Sequence, residues 1–203
     1  MHLIPFISLL WLITGLLVAP VAVAVTSHDT NMHNPPPVSA AGSPASKFDE
    51  TAALALSQGV IGKTVGDYTL TATDGRKLHL SEFRGKPLVI SLIYTSCFHI
   101  CPTTTRHLAE VIERAQSVLG EDSFAVISVG FDAARDTPQA MKNFASDQKV
   151  AAVHWDFLSS DAQTIAAFAA DLGFQFRPAG GGFDHLLQTT ILDAEGVVRR
   201  QVY

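Results

Sequence analysis

The chain has only two cysteines, Cys97 and Cys101, in 203 residues. Any thiol chemistry or thiolate ligation therefore falls to one pair. Charge is also scarce. Charged residues make up 16% of the chain and the formal net charge is −5, which argues against a nucleic-acid partner, for which a basic face would be expected. There are no runs of like charge and no internal repeats. No Ser/His/Asp arrangement, phosphate-binding glycine loop or metalloprotease motif is visible. The first residues lack charge altogether: Leu3 to Val25 has no Asp, Glu, Lys or Arg, and only Met1 and His2 precede it.

That apolar run is long enough to span a bilayer. It ends in Ala22-Val23-Ala24, a small-residue cleavage pattern, just after Pro20. Residues 1–25 are thus expected to be a signal peptide or a membrane anchor. In both cases the remainder is exported to an oxidising compartment, where two cysteines can cycle. Residues 26–47, with Pro35-Pro36-Pro37 followed by Ser, Ala and Gly, read as a disordered linker. Its His28, Met32 and His33 read better as solvated polar residues than as a metal trap. Residues 48–203 form the folded domain, ample for a core.

The centre of the sequence is Cys97-Phe98-His99-Ile100-Cys101-Pro102. It follows the apolar run Leu88 to Tyr94 and precedes a helical pattern that starts near Pro102, where proline suits the first helical position. Amides and the positive dipole end favour thiolates there, so both cysteines are expected to be more acidic than usual. A bridge between residues this close removes little loop entropy, so a purely structural disulfide is disfavoured. The four-residue offset suits a metal, because i and i+4 on a helical turn point the same way. The open readings are thiol redox chemistry, a thiolate-bound soft metal, or both.

Around this centre, Phe48 to Ser57 has helical composition. Residues 68–72 and 77–80 flank Asp74-Gly75 as a hairpin, and Ser81 to Gly85 is a short capped turn. Pro87 to Tyr94 lacks polar alternation and reads as a central strand. A helix to Leu119, stopped by Gly120, has Leu108, Val111, Ile112, Ala115, Val118 and Leu119 at helical spacing. Then come a strand over 124–131, a helix opened by Asp136-Thr137-Pro138 and running to about Gln148, and a strand over 153–158. A helix capped by Ser159 or Ser160 carries Ile165, Phe168, Ala169 and Leu172. The loop Gly180-Gly181-Gly182 leads to strands over 186–192 and 197–202. This alternation predicts an α/β fold with helices on both faces of the sheet.

His185 is the best additional ligand candidate, with Asp184 placed to orient its ring. His99 is expected to be exposed and His107 to face away from the cysteines. His79 and His154 have no partner pattern. Asp132 ends a strand, and Asp136 reads as a cap.

Several stretches together resemble the SCO/SenC family. They are Val65-Gly66-Asp67-Tyr68-Thr69-Leu70, Leu80 to Lys86, Tyr94 to Pro102, Ile127-Ser128-Val129, Asp132 to Pro138, and Asp184-His185 followed by Ile191 to Gly196. The glycines and the Arg84-Gly85-Lys86 turn alone would also fit peroxiredoxins or thioredoxin-like reductases. The resemblance implies a thioredoxin-like fold: a central mixed sheet flanked by helices, with an N-terminal hairpin. It implies a periplasmic or inner-membrane-anchored copper chaperone serving the CuA centre of cytochrome c oxidase subunit II, possessing one copper site, Cu(I) or Cu(II), formed by Cys97, Cys101 and His185. Other copper chaperones and thioredoxin-like reductants would be further partners. The rival is a thiol:disulfide reductase acting on the oxidase's CuA cysteines, with Cys97 and Cys101 as the redox dithiol. A redox sensor is a blander third reading. Two departures stand out. Ala133 replaces a frequent proline, and the sequence ends at Tyr203 where the family continues into a last helix covering the sheet, so either the sequence is truncated or one sheet face is left bare.

Overall fold

The structure, a computed structural model, describes residues 47–203. The leader over 1–25 and all but the last residue of the linker lie outside the described residues. Among the described residues no helix is long and apolar enough to cross a membrane.

The first helix, α1 (Glu50–Gln58), is capped by Asp49, whose side chain accepts the Ala52 amide at 2.9 Å. This satisfies one of the amides that a helix start leaves unpaired. Strands β1 (Thr69–Ala72) and β2 (Lys77–His79) form the expected hairpin. A short 3-10 turn, Leu80–Phe83, follows.

The centre alternates strand and helix: β3 (Leu88–Ile93), α2 (Ile100–Leu119), β4 (Ala125–Gly130), α3 (Pro138–Asp147), β5 (Trp155–Ser159) and α4 (Ala162–Asp171). Then come β6 (Phe176–Ala179), β7 (Gly182–His185), β8 (Thr189–Leu192) and β9 (Val198–Val202). Seven strands make one mixed sheet in the order β2-β1-β5-β4-β3-β8-β9, with β3, β4 and β5 parallel.

Right-handed crossovers that step in one direction put α2 and α3 on the same face. There Phe144 meets Phe157 at 6.3 Å between ring centroids, and Ile112 clusters with Phe124 and Val126. Strand alternation turns Ile127, Val129 and Leu158 to the opposite face, towards α4. On that side Phe168 packs edge-on against Tyr68 at 5.3 Å. The α/β class and the thioredoxin-like arrangement are therefore as expected.

Boundaries differ in instructive places. The strand expected over 153–158 starts at Trp155, because His154 adopts the left-handed φ of 55°. The cap of α4 is Asp161, which accepts the Gln163 and Thr164 amides at 3.0 Å, not Ser159 or Ser160. The strand expected to begin at Leu186 begins at Thr189. The triple glycine is the tip of a hairpin, not a free loop: β6 and β7 pair with each other as a separate two-stranded sheet. Pro178 and the missing alternation had masked β6.

Helix α2 covers β3 on one side only, leaving a groove of about 760 Å³ against β8 and β9. Leu108, Val111 and Ala115 line it from the helix, and Val89 and Ile191 from the sheet.

Gly173 follows α4 with φ of 62°, and an added Cβ would stand 2.7 Å from the Leu56 carbonyl oxygen and Ser57 Cα. Gly173→Ala is expected to cost about 2–4 kcal/mol, through left-handed strain plus overpacking on α1. Urea unfolding of the two proteins measures it.

Candidate dithiol and metal centre

The two cysteines sit where β3 ends and α2 begins. Helix α2 starts at Ile100, two residues before the position expected from Pro102. Proline is tolerated at the third residue too, since amides of the first turn have no intrahelical partner. The earlier start moves Cys101 into the helix and leaves Cys97 in the loop before it. Both are reduced and buried.

Their surroundings differ. The Cys101 amide donates to Cys97 Sγ at 3.3 Å. Burial disfavours the Cys97 thiolate, yet hydrogen bonds from the Cys101 and His99 amides, with the Cys101 and Tyr94 side chains, outweigh it and hold this thiol below the usual range. Burial dominates at Cys101 and pushes its thiol up to about 12; the Tyr94 amide opposes this, while Cys97 and the Asp136 carboxylate add to it. The expectation that both thiols are acidic therefore fails at Cys101. Position inside the helix removes it from solvent, and the helix-start amides serve its neighbour.

Two residues hold this loop from behind. Tyr94 closes β3, and its carbonyl accepts the Cys97 amide at 3.1 Å. Asp136, expected as a cap, has another job. Thr137 caps α3, accepting the Ala140 amide at 3.2 Å. The buried Asp136 carboxylate accepts the Thr95 amide at 2.8 Å, the Thr95 hydroxyl at 2.7 Å and the Asp132 amide at 2.8 Å. The Asp-Thr-Pro signature gave no hint of this, because Thr95 lies 41 residues away.

His185 ends β7. Its ring packs against Phe131 at 5.2 Å, Phe174 at 5.4 Å and Tyr94 at 6.0 Å. Its Nδ1 lies 2.8 Å from the Leu186 carbonyl oxygen. A carbonyl can only accept, so Nδ1 carries the proton and Nε2 keeps its lone pair. Burial lowers the pKa of this ring, against smaller raising effects from Leu186 and Asp184. The neutral imidazole is therefore the favoured form, as a metal ligand requires. Asp184 does not orient the ring as expected: it pairs with Arg177 at 2.8 Å.

Cys101 and His185 line the same groove, and the Tyr94 ring stands beside the imidazole. As the side chains stand, no three His, Cys, Asp or Glu residues among those described are gathered closely enough to hold a metal. The donor set still fits one by chemistry: two sulfurs and a neutral imidazole nitrogen suit a soft or borderline ion. The other histidines stay apart. His99 is exposed, His79 faces Asp67 at 3.7 Å and His154 pairs with Asp122 at 2.8 Å. His107 is exposed along the groove rather than turned away from it.

The SCO1/SenC family profile matches residues 59–202. The SCO1 protein homolog of Bacillus subtilis (strain 168) is 28% identical over 106 residues, which is 52% of this chain and 54% of that relative. A thiol peroxidase of Streptococcus sanguinis is 36% identical over 72 residues, 36% of this chain and 40% of its own. The chain thus spans about half or less of the length of these curated relatives. Among solved structures, Bradyrhizobium japonicum ScoI with copper bound is 28% identical with a TM-score of 0.59, over 69% of this chain and 89% of that one.

The unequal thiols have a direct consequence. Iodoacetamide should label Cys97 of the reduced protein first, and raising the pH from 6 to 9 should accelerate Cys97 alone, because Cys101 remains a thiol throughout. Peptide mass spectrometry reads the order; equal labelling of the two would contradict it.

Proposed function

The chain belongs to the SCO1/SenC family, and from that premise we propose that it carries one copper ion as cargo on Cys97, Cys101 and His185. The client is the CuA centre of cytochrome c oxidase subunit II during its assembly. The observation that carries the reading is the committed tautomer of His185: with Nδ1 donating to Leu186, Nε2 is left free as a ligand nitrogen, on a ring that lines the same groove as Cys101. The copper bound by the Bradyrhizobium relative supports it.

The electrostatics are balanced. Two thiolates neutralise Cu(II) and leave one net negative charge with Cu(I). Sulfur favours Cu(I), and the imidazole allows Cu(II) as well. Loss of two electrons and two protons joins Cys97 to Cys101 as a disulfide, which removes both sulfur donors and releases the metal. On this reading, residues 1–25 export or anchor the chain, residues 26–47 are a spacer, and residues 48–203 work in the periplasm or on the inner membrane facing it. Other copper chaperones and thioredoxin-like reductants would load and reduce it.

A second reading is favoured by the unequal thiols. An acidic Cys97 beside a protonated Cys101 is the arrangement of a thiol:disulfide reductase, in which one sulfur attacks and the other resolves. Its substrate would be the oxidised CuA cysteines, and it has no need of His185.

Anaerobic copper titration of the reduced protein separates the two. The wild type is expected to bind one copper, with sulfur-to-Cu(II) charge-transfer absorption, and Cys97→Ser or Cys101→Ser to abolish it. His185→Ala should weaken binding by about 100-fold or more, beyond the cost of losing an outer partner, while disulfide exchange persists. Copper affinity unchanged by His185→Ala would overturn the ligand assignment. A folded, reduced wild type that binds no copper would favour the reductase.

A further inference from the structure

We propose that Gln188 is the positioning residue for His185: its carboxamide ties together the two chain segments from which the β6–β7 hairpin hangs, and so sets where the imidazole stands. The inference rests on the assignment of His185 as a ligand.

The hairpin has its own ladder and joins the rest of the fold through two short connectors. One runs from Leu172, the cap of α4, through Gly173 to the start of β6 at Phe176. The other runs from His185 through Leu186 and Leu187 to Gln188, just before β8. His185 pairs with Phe176. The imidazole is thus at the base of the hairpin, where the connectors meet, and not at its glycine tip. Gln188 Nε2 donates to the Leu172 carbonyl at 2.9 Å, which closes one connector on the other.

That carboxamide is itself held by a network. Ser57 of α1 donates to its Oε1 at 2.6 Å, and its Nε2 also donates to Thr190 Oγ1 at 3.2 Å. Thr190 Oγ1 donates in turn to Gln201 Oε1 at 2.7 Å, and Gln201 Nε2 returns to the Leu172 carbonyl at 3.0 Å. Ser57, Gln188, Thr190 and Gln201 are all buried. A carbonyl at a helix end lacks an intrahelical donor and has two lone pairs; here two carboxamides fill them. A buried polar network satisfied in this way is rigid.

Only Leu186 and Leu187 separate this network from His185. The Leu186 carbonyl is the group that accepts from His185 Nδ1 at 2.8 Å and leaves Nε2 free. Gln188 therefore acts on the ligand nitrogen through the backbone it anchors.

Gln188→Met keeps the length of the side chain and removes its donor and its acceptor. Tyr203→Phe is the control: Tyr203 Oη donates to Ser57 Oγ at 2.7 Å, at the rim of the same network, and bonds to neither connector. The first readout needs no metal. Nitrogen–proton NMR correlations across the His185 ring of the reduced protein give the ratio of its two neutral tautomers. The wild type is expected to hold the Nδ1–H form. Gln188→Met should shift the ratio towards Nε2–H by about fivefold, the scale of one hydrogen bond, and Tyr203→Phe should leave it unchanged. The second readout uses Cu(II) alone. Gln188→Met should bind it about fivefold more weakly, on the same scale, and keep the sulfur-to-Cu(II) absorption.

A folded Gln188→Met protein with the wild-type tautomer ratio overturns the proposal. So does an equal shift in both variants, which would mark general loosening. If Gln188→Met fails to fold, Ser57→Ala takes its place, since it removes only the hydrogen bond from α1; a wild-type ratio in that variant overturns the proposal instead. Absence of copper binding in the wild type would refute the copper reading, and the tautomer ratio would still decide the role of Gln188.

Discussion

A single buried carboxylate ties the two loops at the head of the sheet together. Asp136 accepts three hydrogen bonds, two from Thr95 before the cysteines and one from the amide of Asp132 beyond β4. Burial raises its pKa, with the Asp132 charge adding to it, and the donated amides and hydroxyl offset only part of the rise. Hydrogen bonds to a charged group are worth about 1.5–3 kcal/mol each, against a desolvation cost of several kcal/mol. The approach is possible because β4 ends in Gly130, where a Cβ would lie 2.4 Å from that of Asp136. The turn bearing Cys97 is thereby fastened to the neighbouring strand of the parallel sheet.

From that anchor the site is assembled out of parts with different rigidity. The cysteines ride on a strand end and a helix start, both integral to the seven-stranded sheet. His185 rides on β6–β7, which shares no ladder with that sheet. Rings hold the hairpin instead: Phe131 contacts Phe176 at 4.8 Å, Phe183 at 5.3 Å and His185 at 5.2 Å. Such pairs contribute about 0.5–1.5 kcal/mol each beyond burial. Arg177 adds its pair with Asp184 and lies over the Phe48 ring at 5.8 Å.

Much of this was legible in the residues. Periodicity and turn chemistry give the βαβ order, and the cysteine spacing with Asp184-His185 gives the family. Local rules stop where partners are remote. Asp136 looks like a cap because its Thr95 contacts are invisible at short range. Tyr94 looks like the last apolar residue of a strand. The inequality of the two thiols turns on where α2 starts, and a boundary two residues away from expectation reverses the behaviour of Cys101. Hairpin β6–β7 was hidden because Pro178 and the glycines read as breakers, and the orienting carbonyl of Leu186 has no side-chain signature.

The separateness of the β6–β7 hairpin has a mechanical consequence. An imidazole delivered on a hairpin with its own two-stranded ladder can shift without breaking a backbone hydrogen bond of the seven-stranded sheet. The sulfur pair has no such freedom, since it is woven into the strand-to-helix junction. A scaffold divided in this way fixes the two sulfurs and leaves the nitrogen adjustable, with aromatic packing rather than a shared ladder setting how far it can travel.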